Sequence, residues 1–255
     1  MGISIKLVAV DLDHTVLRDD KTLSRFTVEV FRRLHQCQIN TCVLTARQKL
    51  SAEAICNQLT CRGAAFCNGA IVNADGAIIA LHPLSWQSAS ILLHDIGDHP
   101  CSVTCDGAVY TNFKTDYSIR ADSWAQLTGQ QLLRILLYSP PQELLERLTA
   151  ASYTDLYIQH LEHGDIVAVS RLATKEHALE TLMEHWGICS EETAAFGDDF
   201  NDMGFMALSG TGIAVQNAEE QVRLAANALC ASNNEDGPAL WLNEYVLQPL
   251  NAEVV

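Results

Sequence analysis

Val8-Ala9-Val10-Asp11-Leu12-Asp13-His14-Thr15-Val16-Leu17 joins an apolar run that begins at Ile5 to two carboxylates one residue apart. An apolar run of this length reads as a buried strand of a parallel sheet, and the carboxyl ends of such strands face the ligand crevice. Two acids set there repel each other and lose hydration unless a cation or a reaction occupies them. The first suits a nucleophile and the second a proton donor and acceptor. Taken alone, the stretch also fits a strand that runs into a polar turn and a helix cap.

A second stretch of the same kind lies far along the chain. Ala194-Ala195-Phe196-Gly197-Asp198-Asp199-Phe200-Asn201-Asp202 is a short apolar run that ends in a glycine and a burst of acids. Such oxygen-rich clusters suit a hard cation such as magnesium (Mg2+), which is held through one or two carboxylates, waters and a substrate phosphate. A solvated turn capping a helix at Asp198 or Asp199 is the alternative, and pairing with the first stretch weighs against it.

Two further features lie between them. Ile39 to Leu44 reads as a strand, and Thr45-Ala46-Arg47 after it offers a hydroxyl and two backbone N–H groups at an expected helix start, an anion-binding arrangement. Thr45 read by itself is an N-cap. Lys175 opens an expected helix, 175–186, where its charge opposes the helix dipole. That placement makes sense if the ammonium faces carboxylates and a phosphate; otherwise Lys175 is a surface lysine.

In this order, Asp11-Leu12-Asp13-His14-Thr15, Thr45, Lys175 and Gly197-Asp198-Asp199-Phe200-Asn201-Asp202 resemble the haloacid dehalogenase superfamily of phosphatases. The likeness is strongest to its Cof-like branch, which carries a large α/β cap inserted after the third strand. Phe66-Cys67-Asn68-Gly69-Ala70 resembles that branch's asparagine-glycine turn beside the active site, and Asn233-Asn234-Glu235-Asp236-Gly237 its C-terminal signature. The family often has glycine where His14, Ala46 and Glu176 stand. The resemblance implies a Mg2+-dependent phosphatase in which Asp11 is the nucleophile and Asp13 the acid and base. It implies a metal held by Asp11, the Asp13 backbone carbonyl and Asp198. Thr45, the Ala46 N–H, Lys175 and Asn201 would bind the phosphoryl oxygens, with Asp202 and Asn68 in support. The implied partner is a small phosphorylated metabolite such as a sugar phosphate. A phosphotransferase or mutase of the same superfamily, or a binding module that keeps the fold without turnover, are the other readings.

Composition bounds the remaining classes. The chain has 255 residues and a net charge of -15, which sets it against nucleic-acid backbones as partners. No apolar run is long enough to span a bilayer. The N-terminus enters a core strand directly and does not read as a secretion signal. Nine cysteines without a metal-ligand or disulfide framework point to a reducing cytoplasm.

Strand and helix signals alternate in the first third. Ser24 caps a helix to about Gln36 with Phe26, Val30, Phe31 and Leu34 on one face; a helical pattern covers Ser51 to Leu59; and Asn73-Ala74-Asp75-Gly76 makes a hairpin. From about Pro83 the pattern turns to a mixed, largely antiparallel α/β insert with hairpin turns at Asp106-Gly107 and His163-Gly164. After Arg171 the strand–helix alternation returns. The expected fold is α/β: a doubly wound parallel-sheet (Rossmann-like) core, 1–82 and 172–255, with an inserted mixed α/β cap domain, 83–171. The linkers near 82–84 and 170–174 would be its hinges.

Overall fold

The structure, a computed structural model, describes residues 5–105, 107–151, 153–161 and 164–252. Asp106 and His163, expected at two hairpin tips, lie outside the described residues. The chain forms two compact units, Met1–Ala80 with Thr174–Val255, and Leu81–Ala173.

In chain order the elements are β1 (Leu7–Val10), α1 (Arg25–Gln36), β2 (Asn40–Leu44), α2 (Lys49–Gln58), β3 (Gly63–Phe66), β4 (Ile71–Ala74) and β5 (Ala77–Leu81). There follow α3 (Trp86–Ile96), β6 (Cys101–Cys105), β7 (Ala108–Thr111), β8 (Ile119–Arg120), β9 (Leu132–Leu137), α4 (Gln142–Ala150), β10 (Leu156–His160) and β11 (Ile166–Ser170). The last stretch holds α5 (Lys175–Trp186), β12 (Thr193–Gly197), α6 (Met203–Leu208), β13 (Thr211–Val215), α7 (Glu220–Ala225), β14 (Ala228–Cys230) and α8 (Gly237–Leu242).

Within the first unit the sheet runs in the order β14-β13-β12-β1-β2-β3-β4-β5 among the described residues. The pairings from β14 to β3 are parallel, and β4 returns antiparallel to β3. Connections lead outward from β1 on one side and from β12 on the other, so the order reverses between these neighbours. Leu7 and Ala9 of β1 share a buried face with Cys42, Leu44, Ala65 and Ala195, packed against Leu179 and Leu182 of α5 and Phe205 of α6. Strand alternation sends Val8 and Val10 to the opposite face. There the Phe196 ring meets Trp241 of α8 edge-on at 5.5 Å.

Local chemistry fixes the helix ends. The Ser24 hydroxyl accepts from the Thr27 N–H at 2.9 Å, which satisfies one of the orphan donors of α1. The apolar stripe differs by one position from the expected one. Thr27, Val30, Phe31 and Leu34 are buried, and Phe26 is 38% exposed. The helix expected from Ser51 begins earlier, at Lys49. The three-residue β14 and two-residue β8 are too short to show a period in the sequence.

The second unit is built on a sheet of order β10-β11-β9-β6-β7-β8. Its pairings are antiparallel except β7 with β8. Leu92, Leu93 and Ile96 of α3 and Leu144 and Leu148 of α4 close its core over Val103, Ile135 and Leu137.

Candidate active site

Asp11 follows the last residue of β1, and Asp198 follows the last residue of β12. The two strands are parallel neighbours with Val10 opposite Phe196, and the Asp11 N–H donates to the Phe196 carbonyl at 3.0 Å. Both acids therefore stand at the carboxyl edge of the sheet where its order reverses, the usual place for a ligand in an open α/β sheet. Beyond Asp11 the chain turns tightly, closed by the Leu17 N–H on the Leu12 carbonyl at 2.8 Å. Within this turn His14 has φ 58°, a left-handed conformation that glycine adopts more readily.

Lys175 is the first residue of α5, placed by Thr174, whose hydroxyl accepts from the His177 N–H at 3.1 Å. Its ammonium donates to Asp11 Oδ1 at 2.7 Å and to Asp202 Oδ1 at 2.6 Å. All three residues are buried, with exposures of 3%, 5% and 0% in the order Lys175, Asp11, Asp202. Asp202 also folds back over Gly197, so that its Oδ2 accepts from the N–H groups of Asp198 at 2.9 Å and Asp199 at 3.2 Å. A Cβ on residue 197 would sit 2.5 Å from the Asp202 Cβ, which is why glycine precedes the acids. Thr15 Oγ1 donates to Asp198 Oδ1 at 2.7 Å. These bonds engage one oxygen of Asp11, one of Asp198 and both of Asp202.

Carboxylate oxygens of Asp11, Asp198 and Asp202 all lie within 4.8 Å of one another. One ammonium faces the three, so a surplus of negative charge sits at a largely water-excluded edge. Burial pushes the Asp11 carboxyl well up, against the pull of Lys175 and with the push of Asp202. Asp198 is pushed up to about 7, by burial first and the Asp202 charge second. Burial alone would lower Lys175, and the charges of Asp11 and Asp202 outweigh it and hold the ammonium protonated. The lysine is thus fully neutralised while the carboxylates are not. Hard oxygen donors carrying excess negative charge fit a divalent cation.

Asp13 is turned elsewhere. Arg47 grips it with two bonds, Nε to Oδ2 and Nη2 to Oδ1, each 2.7 Å. Lys21 Nζ stands 3.0 Å from Oδ1. Burial would raise this carboxyl, but the bonds from Arg47 and Lys21 bring it down to about 2. The metal contact expected of Asp13 is its backbone carbonyl, and the carboxylate grouped with those of Asp11 and Asp198 is that of Asp202.

Thr45 is fully buried, and its hydroxyl oxygen accepts from the Arg47 N–H at 3.1 Å. It does not cap α2, whose N-cap is Gln48. The reason is that the main chain of Arg47 is already taken: its carbonyl accepts from the Cys67 N–H at 2.8 Å, and the Asn68 N–H reaches the Thr45 carbonyl at 3.0 Å. These bonds tie the Thr45-Ala46-Arg47 loop to the buried Asn68 turn. Asn201 lies in the turn between Asp199 and Asp202, and among the described residues its Oδ1 is buried without a hydrogen-bond partner. Arg47, Lys21 and Thr15 belong to the site by geometry and were missed in the sequence. Each sits inside or beside a quoted stretch, but spacing says nothing about a contact made across the sheet edge.

A family model described as haloacid dehalogenase-like hydrolase matches residues 8–242. The chain is 26% identical to the 5-amino-6-(5-phospho-D-ribitylamino)uracil phosphatase YitU of Bacillus subtilis, over 94% of this chain and 97% of that one. It is 25% identical to the pyridoxal phosphate phosphatase YbhA of Escherichia coli, over 95% and 99%. Among solved structures, a haloacid dehalogenase-like hydrolase from Bacteroides thetaiotaomicron superposes with a TM-score of 0.85 at 20% identity, covering 94% of this chain and 99% of that one, a likeness of fold.

Proposed function

The chain belongs to the haloacid dehalogenase-like hydrolase family, and from that premise we propose that it is a Mg2+-dependent phosphatase of small phosphorylated metabolites working through an aspartyl-phosphate on Asp11. The observation that carries this reading is the buried Lys175 bonded at once to Asp11 and Asp202, with Asp198 in the same carboxylate cluster. Asp11, Asp198 and the main-chain carbonyl of Asp13 would hold the metal. When bound, it neutralises the surplus negative charge and draws electron density from the phosphoryl oxygens.

Each remaining step belongs to the protein. Asp11 attacks phosphorus with the carboxylate oxygen that Lys175 does not occupy, and the leaving oxygen takes a proton from Asp13, a role that needs the anionic ester to offset the Arg47 and Lys21 charges that hold this carboxyl at about 2. Asp13 then takes a proton from the water that cleaves the aspartyl-phosphate. Lys175 has three N–H donors, two of them spent on Asp11 and Asp202, and the third is available to a phosphoryl oxygen. The Thr45 hydroxyl accepts from Arg47 and keeps its own hydrogen for the phosphate. The Ala46 N–H and the Asn201 side chain add to this set, Asn68 supports the loop that carries Thr45, and Asp202 positions Lys175. Fixed donors aimed at the equatorial oxygens stabilise the charge that spreads there in the transition state.

Residues 83–171 serve as the cap that selects the substrate, and residues 1–82 and 172–255 carry the chemistry. Pyridoxal phosphate and the phosphoribitylamino uracil named for the relatives are the first compounds to assay. No helix among the described residues is long and apolar enough to cross a membrane. Nine cysteines without a disulfide framework in the sequence favour a cytoplasmic enzyme. The test is phosphate release across a metabolite panel with Mg2+, for the protein and for Asp11→Asn. A compound turned over by the first, with loss of several orders of magnitude in the second, supports the reading. Equal turnover by both would sink it.

A further inference from the structure

Cys56 and Cys61 stand at the two ends of the turn that terminates α2. Thr60 swings into the left-handed region, φ 51°, and two hydrogen bonds close the turn behind it. The Cys61 N–H donates to the Cys56 carbonyl at 3.1 Å, and the Thr60 N–H to the Asn57 carbonyl at 3.1 Å. This is the Schellman arrangement, whose outer residues commonly bring their side chains into apolar contact. Here both outer residues are cysteines.

The backbone holds the two residues close to disulfide range. The 3.1 Å bond joins the two residues' own backbones. Adding the covalent spans on either side of it caps the Cα separation at about 7 Å. Disulfides span Cα distances of about 4.4–6.8 Å. The Cys61 thiol turns back over the helix end, 4.0 Å from the Leu59 carbonyl oxygen. Burial raises the Cys61 thiol, and the neighbouring Cys56 sulfur raises it further. Cys56 is itself pushed up to about 12, chiefly by burial. Both are free thiols, Cys56 buried and Cys61 half-buried.

We propose that Cys56 and Cys61 form a dithiol–disulfide modification site, oxidised to an internal disulfide by a small disulfide of the glutathione class. Cys61 is the entry point because it is the more exposed. Its thiol gives up its proton, and its sulfur attacks one sulfur of the oxidant. The oxidant's S–S bond breaks and one glutathione leaves, taking up a proton. Cys56 then loses its proton and attacks the Cys61 sulfur, expelling the second glutathione as a thiol. Two electrons and two hydrogens pass from the protein to the oxidant, whose two halves end as two glutathione thiols. The raised thiols keep the pair inert in a reducing setting, since the thiolate is the attacking species.

Trypsin cuts after Lys49 and Arg62, so one peptide, 50–62, carries both cysteines. The full-length protein is incubated with excess glutathione disulfide at mildly alkaline pH, its remaining thiols are capped with a maleimide, and peptide 50–62 is weighed without reduction. The expected peptide lacks two hydrogens and carries no maleimide, and prior dithiothreitol returns it to two maleimides. In Cys56→Ser the reaction should stop with glutathione attached to Cys61, provided that variant keeps its native circular dichroism. The wild-type measurement decides regardless of the variant. Two maleimides on the oxidised wild-type peptide, or glutathione on it with no internal bond, would overturn the proposal.

Discussion

Arg47 holds both oxygens of Asp13 in a fork, each contact 2.7 Å long. A guanidinium makes this planar two-point grip, and an ammonium cannot. The grip sets the direction of the Asp13 carboxylate, the group assigned to the leaving oxygen. In Arg47→Lys we expect kcat on an alkyl phosphate ester to fall ~10- to 100-fold, a good part of what a positioned general acid contributes. A 4-nitrophenyl ester, whose leaving group needs no proton, should fall much less. Equal losses on the two esters would mean that Arg47 acts on the phosphate and not through Asp13.

Removing the buried ammonium leaves Asp11 and Asp202 without their shared cation. Lys175→Met should therefore cost about 3–5 kcal/mol of stability at pH 7, as measured by urea unfolding of the metal-free protein. Adding Asp202→Asn removes one of the stranded charges, so the double variant should lose clearly less than the sum of the two single losses. Strict additivity would show that the pair does not interact.

Asp198 gives a pH signature. Its carboxyl titrates near 7 when folded, against an ordinary value of 3.8. A carboxyl raised by folding contributes its stability fully below the unfolded value and loses it as pH rises through the folded one. In the metal-free protein that loss should run from about pH 4 to pH 7. Asp198→Asn abolishes it, so the Tm of the variant minus that of the wild type should climb over this window. Magnesium should raise the wild-type Tm at pH 7.5 and leave the variant's nearly unchanged. A flat difference curve would remove the charge argument for the site.

Gly69 has φ 105°, and a Cβ there would lie 2.5 Å from the Thr174 carbonyl oxygen. Thr174 is the N-cap that sets Lys175. Gly69→Ala should cost more than about 1 kcal/mol through the unfavourable φ alone. It should also lower kcat with less change in KM, because the strain is relieved at the start of α5. Unchanged Tm and kcat together would contradict this coupling.

The two acid-bearing strand ends were legible because an apolar run that stops at a carboxylate needs no tertiary knowledge. Lys175 was legible for a related reason, since a cation in a first helical turn is locally unfavourable and asks for a partner. For Asp202 the family resemblance implied only a supporting role, toward Lys175 or a metal-bound water, and its bond to Lys175 comes from the structure. The Arg47–Asp13 fork was not legible, although both residues stood in quoted stretches. Residues 34 positions apart meet only because β1 and β2 are neighbours. The helix expected to start directly after Thr45 does not do so for a similar reason: the backbone bond from Cys67 to Arg47 holds Thr45-Ala46-Arg47 out of α2, and nothing local announces it. Phe26 was expected in the core from its helical spacing to Val30, Phe31 and Leu34, yet the stripe buries Thr27, whose hydroxyl meets the Ser24 cap.

The chain leaves the first unit after Ala80 and re-enters it at Thr174. The re-entry residue is the very one that caps α5 and fixes Lys175. An insert exchanged between these two points is expected to leave α5 in place only where Thr174 keeps its extended conformation and its bond to the His177 N–H. For protein engineering this defines a splice window whose downstream border is sharp. A graft that ends at Ala173 keeps this N-cap, whereas one that replaces Thr174 by a residue without a side-chain acceptor is expected to cost the start of α5 about 1 kcal/mol.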